Sequence, residues 1–326
     1  MKAWQFDPQS HTFAPTEVPA PTAGPGQVVI EVQAAGLCHS DVTVMDDPGQ
    51  LQTLGGQRRT IGHEIAGTII ELGEGVSGWT VGDRVGICPT AGMQLGGPDP
   101  SVAEAGLPGY TRDGGFGERC IAWPGELVRV PDELDITLGA VATDAGMTAY
   151  HAIVTRGGLQ AGMKVGVIGF GGLGQIGARV AVLKGAEVHV AERKRDVWPL
   201  AESFGVTHLV EDVSEWAGQD FDLIVDYAGF GTTTAGALKA IRFNGTVVQV
   251  GLGRTEIEIN TLDMITHRAN YLGSIGGTRA DIEDLYGMMA RGELLPHVTE
   301  IGFDQIGDGI QQLREGTVTG RLAVRY

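Results

Sequence analysis

The sequence predicts an α/β chain of two domains: a strand-rich, partly closed one, and one built on a parallel sheet with helices on both faces. Three observations carry this. Near residue 140 the pattern changes from short strand-like runs broken by Gly, Pro and Asp to apolar strands alternating with helical periods. A glycine-rich turn, GFGGLG at 169–174, joins the first of those later strands to its helix. The chain is 326 residues long and 42% apolar, enough to bury two cores and too apolar for intrinsic disorder.

In the first half the strand candidates are VVIEV (28–32), IAGTIIEL (65–72), DRVGI (83–87) and ERCIA (118–122), and 92–115 reads as loop throughout. The second half opens with KVGVIG (164–169) and a helix over 173–185. EVHVA (187–191), a helix around 196–204 and a short strand at 208–211 follow. FDLIVDYAG (221–229), a helix near 232–242, GTVVQVG (245–251) and ANYLGSIG (269–276) complete six strands. Six apolar strands with alternating helices predict the doubly wound, or Rossmann, dinucleotide fold. Helical segments near 279–291 and 303–315 and the closing GRLAVRY have no place in that unit, so 277–326 is expected to return to the first domain. The boundaries are therefore 1–146, 147–276 and 277–326.

Composition narrows the function. Forty acidic against 23 basic residues leave a net charge of -17, a surface that repels phosphate backbones and excludes nucleic acid and anionic membranes as partners. The opening MKAWQFDPQS lacks the apolar run of a secretory leader, and no run of apolar residues is long enough for a transmembrane helix. Three cysteines, Cys38, Cys88 and Cys120, make no disulfide framework. The expectation is a cytoplasmic protein.

The glycine-rich turn assigns its residues by geometry. Gly169 permits the tight turn, Gly171 lets the backbone approach a pyrophosphate, and Gly174 lets helix and strand pack closely. The new helix offers its unpaired N–H groups, beginning at Gly172 and Leu173, to the diphosphate. Glu192 ends the next strand and is placed to accept from an adenosine ribose hydroxyl, which favours NAD. Arg193, Lys194 and Arg195 follow at once and offer NADP a phosphate clasp, or form a solvated charge run.

A second constellation is dispersed. GLCHSD holds Cys38, His39, Ser40 and Asp41, and TIGHEIAG holds His63 and Glu64. Their separation is too long for a local zinc knuckle, but a catalytic zinc collects ligands from distant segments, and Cys38 and His63 supply sulfur and nitrogen. Cys88 and Cys120 sit in apparent strands and are not well placed for a third ligand; Asp144, in ATDAGMTAY, offers an acceptable oxygen ligand. Taken singly, Cys38 reads as a small buried hydrophobe and Asp144 as a helix N-cap.

GLCHSD, GHEIAG, GFGGLG and the closing GRLAV, in this order and across the whole chain, resemble the zinc-dependent alcohol dehydrogenases of the medium-chain dehydrogenase/reductase family. The resemblance implies a GroES-like catalytic domain, a Rossmann cofactor domain, and a cleft between them in which zinc faces the nicotinamide. It implies one catalytic zinc per chain on Cys38, His63 and Asp144, with Asp41 orienting His63 and Glu64 behind the metal. Ser40 matches the hydroxyl that takes the substrate proton, and Thr43 stands where many relatives have a histidine that passes it on. His39 matches a pyrophosphate-side residue, Thr148 a nicotinamide contact, and Arg321 a phosphate contact from the returning tail. An aspartate third ligand points to a secondary-alcohol branch. Pro89 stands where relatives often place a large aromatic, which implies a wide pocket for an alcohol and its ketone or aldehyde. The segment after GDRV holds Cys88 alone, so the four-cysteine structural zinc of relatives is not expected. A homodimer or homotetramer is implied. The rival readings are an NADPH-dependent aldehyde or enal reductase, a zinc-free quinone or double-bond reductase, and a dinucleotide-binding protein without turnover.

Overall fold

The structure, a computed structural model, describes residues 1–93 and 105–326. The chain divides into two compact units, Met1–Met147 with Thr278–Tyr326, and Thr148–Gly277.

The first unit is built around one ten-residue strand, Val28–Leu37. Glu64–Leu72 pairs antiparallel along one edge of it. On the other edge Arg119–Ala122 covers its first half and the closing strand Arg321–Arg325 its second half. Arg84–Ile87 and Leu127–Arg129 extend the sheet beyond Glu64–Leu72, and Val298–Ile301 runs parallel to the closing strand at the far edge. A second, three-stranded sheet joins Lys2–Asp7, Thr12–Glu17 and Arg59–Thr60. The closing strand Arg321–Arg325 pairs antiparallel with Val28–Leu37. Phe6, Ile30, Leu37, Ile65 and Phe116 are fully buried in this unit's core, and each such side chain contributes roughly 1.5–3 kcal/mol by leaving water.

The second unit is a six-stranded, all-parallel sheet. Numbered along the chain, its strands are Lys164–Ile168, Glu187–Ala191, His208–Val210, Phe221–Asp226, Ile241–Gln249 and Asn270–Gly273. They lie in the spatial order 3-2-1-4-5-6, which is the doubly wound order. One junction shifts by several residues from expectation. The helix Thr232–Ala240 stops earlier than 242, and its strand starts at Ile241, because Ile241 is buried and pairs with Phe221.

Other features were not anticipated either. A helix, His39–Asp46, starts directly after Cys38, and Val298–Ile301 is a strand. Residues 105–115, expected as loop, are tied down. Gly114 N–H donates to Thr60 O, Gly115 N–H to Gly62 O, and Leu107 N–H to the Thr111 hydroxyl. The remainder of the expected 92–115 loop, 94–104, lies outside the described residues. Among the described residues no helix is long and apolar enough to cross a membrane.

Candidate active site

Strand ends bring the dispersed constellation together. Cys38 follows Leu37 at the end of the central strand, Glu64 opens the strand on one side, and Arg321 opens the closing strand on the other. Register places Gly36 opposite Glu64. A Cβ at Gly36 would lie 1.5 Å from Glu64 Oε2, so only glycine lets that carboxylate lie across the strand. Just before His63, Gly62 turns at φ +94° with the Phe116 ring packed against it.

Asp41 organises the entry. Fully buried, it sits in the first turn of the His39–Asp46 helix. Its Oδ2 accepts from the Cys38 N–H at 2.8 Å, returning to the residue that caps the helix. Its Oδ1 lies 2.9 Å from His63 Nδ1, which turns Nε2 toward Asp144 Oδ2 at 3.2 Å. The ligand atoms of Cys38, His63 and Asp144 all lie within 4.8 Å of one another.

Asp144 is not an N-cap. The helix cap is Asp135, whose carboxylate accepts from Thr137 N–H, while Asp144 sits in a π-helical turn, Ala142–Gly146. Such wide turns re-aim one side chain out of helical register and recur at functional sites. Thr143 on the same turn accepts from Ile65 N–H at 3.1 Å, which pins the turn to the strand that carries Glu64.

Arg321, read as a phosphate contact, is 4% exposed and directs its guanidinium to carboxylates. It makes a two-pronged pair with Glu64, both contacts at 3.0 Å, and reaches Asp144 Oδ2 at 3.3 Å. Ala145 N–H adds a third bond to Glu64 at 2.7 Å.

The electrostatics follow from this crowding. Burial alone would lower the His63 imidazole, but Asp41 and Asp144 on its two sides outweigh burial and hold it well above its usual range. Burial would raise Asp144, yet His63 and then Arg321 pull it below the usual carboxylate range. Burial pushes Glu64 up to about 7 against the pull of Arg321. The two carboxylates thus favour a cation between them, which a proton on His63 or a metal ion would supply.

The neighbouring residues are placed as follows. Ser40 is exposed; its hydroxyl is 3.6 Å from Cys38 Sγ, and its carbonyl accepts from the Tyr110 hydroxyl at 3.1 Å. Tyr110, which the sequence reading missed, also sets its ring edge-on to His63, with centroids 5.7 Å apart. Thr43 is exposed and donates to His39 O at 3.0 Å; His39 is exposed too. Pro89 is buried. Burial pushes the Cys88 and Cys120 thiols up to about 12, which keeps them protonated and inert as ligands. Cys88 follows its strand rather than lying in it.

In the second unit Gly169 has φ +85°, a conformation that favours glycine. A Cβ on Gly174 would lie 1.9 Å from Gly169 O, whereas one on Gly171 would meet nothing within 4 Å. The loop is therefore closed behind and open at Gly171, where the helix Gly172–Leu183 begins with Gly172 and Leu173. Glu192 bridges this loop to its strand end, accepting from Phe170 N–H at 2.7 Å and Lys194 N–H at 2.8 Å. Arg193 and Lys194 are exposed, while Arg195 pairs with Glu211 and lies over the Trp198 ring. Thr148 is 9% exposed at the start of this unit.

A sulfur–nitrogen–oxygen donor set in one unit and a doubly wound sheet with an open glycine turn in the other define the class, a two-domain oxidoreductase. Comparison agrees. Residues 24–132 match the alcohol dehydrogenase GroES-like domain family, and 172–291 the zinc-binding dehydrogenase family. An alcohol dehydrogenase of Geobacillus stearothermophilus is 30% identical, with 95% of each chain covered. Among solved structures, an acetophenone reductase from Geotrichum candidum in complex with NAD superposes with TM-score 0.89 at 26% identity, covering 100% of this chain and 97% of that one. An alcohol dehydrogenase from Aeropyrum pernix gives 0.88 at 27% identity, with 100% of both chains covered. The chain belongs to the alcohol dehydrogenases of the medium-chain dehydrogenase/reductase family, and it is an enzyme of alcohol and ketone oxidoreduction.

Proposed function

We propose that this enzyme is a zinc-dependent, NAD-linked alcohol dehydrogenase that prefers secondary alcohols and their ketones. The observation that carries the reading is the convergence of Cys38, His63 and Asp144 within 4.8 Å, with His63 held by Asp41. Thiolate, imidazole and carboxylate are the donors zinc takes, and three protein ligands leave the open position of a catalytic site. A carboxylate on the far ring nitrogen fixes the tautomer a metal needs, the task Asp41 would have. When bound, zinc supplies a Lewis acid and the nicotinamide a hydride acceptor.

The chain's own residues do the rest. Ser40 takes the substrate hydroxyl proton during oxidation and returns it during reduction. Thr43 donates to His39 O, so water, rather than a side chain there, completes the path. Glu64, held back by Arg321 and Ala145 N–H, is the carboxylate at hand when ligands exchange. His39, Thr148, Gly169, Gly171, Gly172, Leu173, Gly174, Glu192 and Arg193 are the cofactor residues. Arg321 approaches a cofactor phosphate only if it gives up part of its carboxylate pair.

NAD is favoured over NADP because Glu192 directly follows the second strand and Arg195 is engaged with Glu211. We expect a higher kcat/KM with NADH than with NADPH, and Glu192→Ala to narrow the gap. A higher value with NADPH would show that the basic run decides the choice.

The secondary-alcohol preference rests on Asp144 and on Pro89 in place of a larger side chain. The similar acetophenone reductase, named for a ketone, supports it. A kcat/KM series of alcohols of rising size tests it. If small primary alcohols beat every secondary one by about tenfold, about 1.4 kcal/mol of transition-state preference, the preference is wrong.

The enzyme is proposed to assemble as a homodimer or homotetramer. Asn270–Gly273 is an edge strand of its sheet, and Leu262, Ile265 and Ile275 nearby in sequence are exposed; edge strands need cover. Light scattering should return a multiple of the 34.2 kDa chain mass, and a monomer at working concentration would refute assembly.

A further inference from the structure

A second cluster of metal-ligating side chains lies in the cofactor-type unit, remote in sequence from Cys38, His63 and Asp144. His189 and His208 are register partners on adjacent parallel strands, so their side chains leave the sheet on the same face, and Glu187, two residues before His189, joins them there. The two imidazoles stack with centroids 4.1 Å apart and planes 10° apart. One carboxylate oxygen, Glu187 Oε1, lies 2.7 Å from His189 Nε2 and 3.9 Å from His208 Nε2. All three ligand atoms lie within 4.8 Å of one another. Behind the pair, the Phe221 ring meets His189 edge-on at 5.0 Å and holds its plane. Lys164, the register partner of Glu187 on the other side, sends its ammonium to Gln219 O at 2.9 Å.

We propose that Glu187, His189 and His208 form an exchangeable binding site for a borderline divalent transition metal, of the zinc or nickel kind. Two imidazoles and a carboxylate suit such ions and not calcium or magnesium, which take oxygen ligands. His189 is buried whereas Glu187 and His208 are about half exposed, so the site is open to solvent and holds its ion less tightly than a closed one. Its effect would be mechanical. His208–Val210 is a three-residue edge strand whose last carbonyl, Val210 O, accepts from Glu192 N–H at 2.9 Å. A metal clamp two residues away fastens this short strand to its neighbour, and with it the strand end that bears Glu192.

The test is nickel titration of the untagged enzyme carrying its tightly held metal, near neutral pH, by calorimetry with parallel thermal unfolding and zinc-release assays. One additional equivalent of nickel per chain should bind without zinc release and raise the unfolding temperature. His208→Ala should lose that equivalent while keeping kcat/KM within about twofold, and Glu187→Gln should weaken binding about tenfold or more. Nickel uptake unchanged in both variants, uptake matched by zinc release, or no uptake at millimolar nickel would each overturn the proposal.

Discussion

Cys38→Ser lowers kcat/KM for alcohol oxidation by about three orders of magnitude, with the fold intact. The two halves of this expectation come from different properties of one residue. Cys38 precedes the helix His39–Asp46 and is held by its own N–H to Asp41. Serine is among the best residues at that position, so the helix start is kept or improved. What serine cannot supply is a thiolate, because its hydroxyl stays protonated where a thiol ionises. Losing one of three ligands loosens the Lewis acid, whose transition-state stabilisation amounts to several kcal/mol; three orders of magnitude correspond to about 4 kcal/mol. His63→Ala should be at least as severe, since it also leaves the buried Asp41 Oδ1 without the imidazole it meets. Steady-state kinetics beside circular dichroism checks both halves, and activity within tenfold of wild type would remove Cys38 from the site.

Arg321→Met is the largest expected loss of stability. The guanidinium is buried between Glu64, which has no exposed surface, and Asp144. Removing it leaves the fully buried Glu64 without its cation and takes from Asp144 one of its two cationic neighbours; breaking a buried pair costs about 3–5 kcal/mol. In a unit of this size that lowers the unfolding temperature by roughly 10 °C. Arg321→Lys keeps the charge but not the planar fork that meets both Glu64 oxygens, so it should lie between the two. Thermal unfolding with and without chelator is the measurement. A shift under about 2 °C in Arg321→Met would mean that the pair contributes little to the fold.

The same two residues mark what the sequence shows and hides. Cys38 stands in a short motif, and His63 in another, so a local pattern reveals them. The parallel sheet was equally legible, because each strand is a continuous apolar run and Gly169, Gly171 and Gly174 stand at its first turn. Arg321 was visible as part of the closing segment, but its partners were not. Glu64 lies 257 positions earlier, and nothing local announces an ion pair across that distance. Tyr110 was hidden for a similar reason: it lies in a glycine-rich stretch with no period, and only the folded chain sets it against His63 and Ser40. Asp144 was misjudged in its local setting, because a π-turn has no sequence period of its own and a helix start was the simpler reading. The His39–Asp46 helix went unseen since its first turn carries polar residues that serve the site rather than a core face.

The central claim is a single tightly held zinc on Cys38, His63 and Asp144, and elemental analysis of the wild type and Asp144→Asn tests it most directly. Asparagine is nearly isosteric and would satisfy a merely structural hydrogen-bonding role, but it is a far poorer zinc donor than a carboxylate. After exhaustive dialysis to remove exchangeable ions, the wild type should retain one zinc per chain, and Asp144→Asn, folded by circular dichroism, should retain much less. Two zincs or none in active wild-type protein, or an undiminished zinc content in Asp144→Asn, would contradict the assignment.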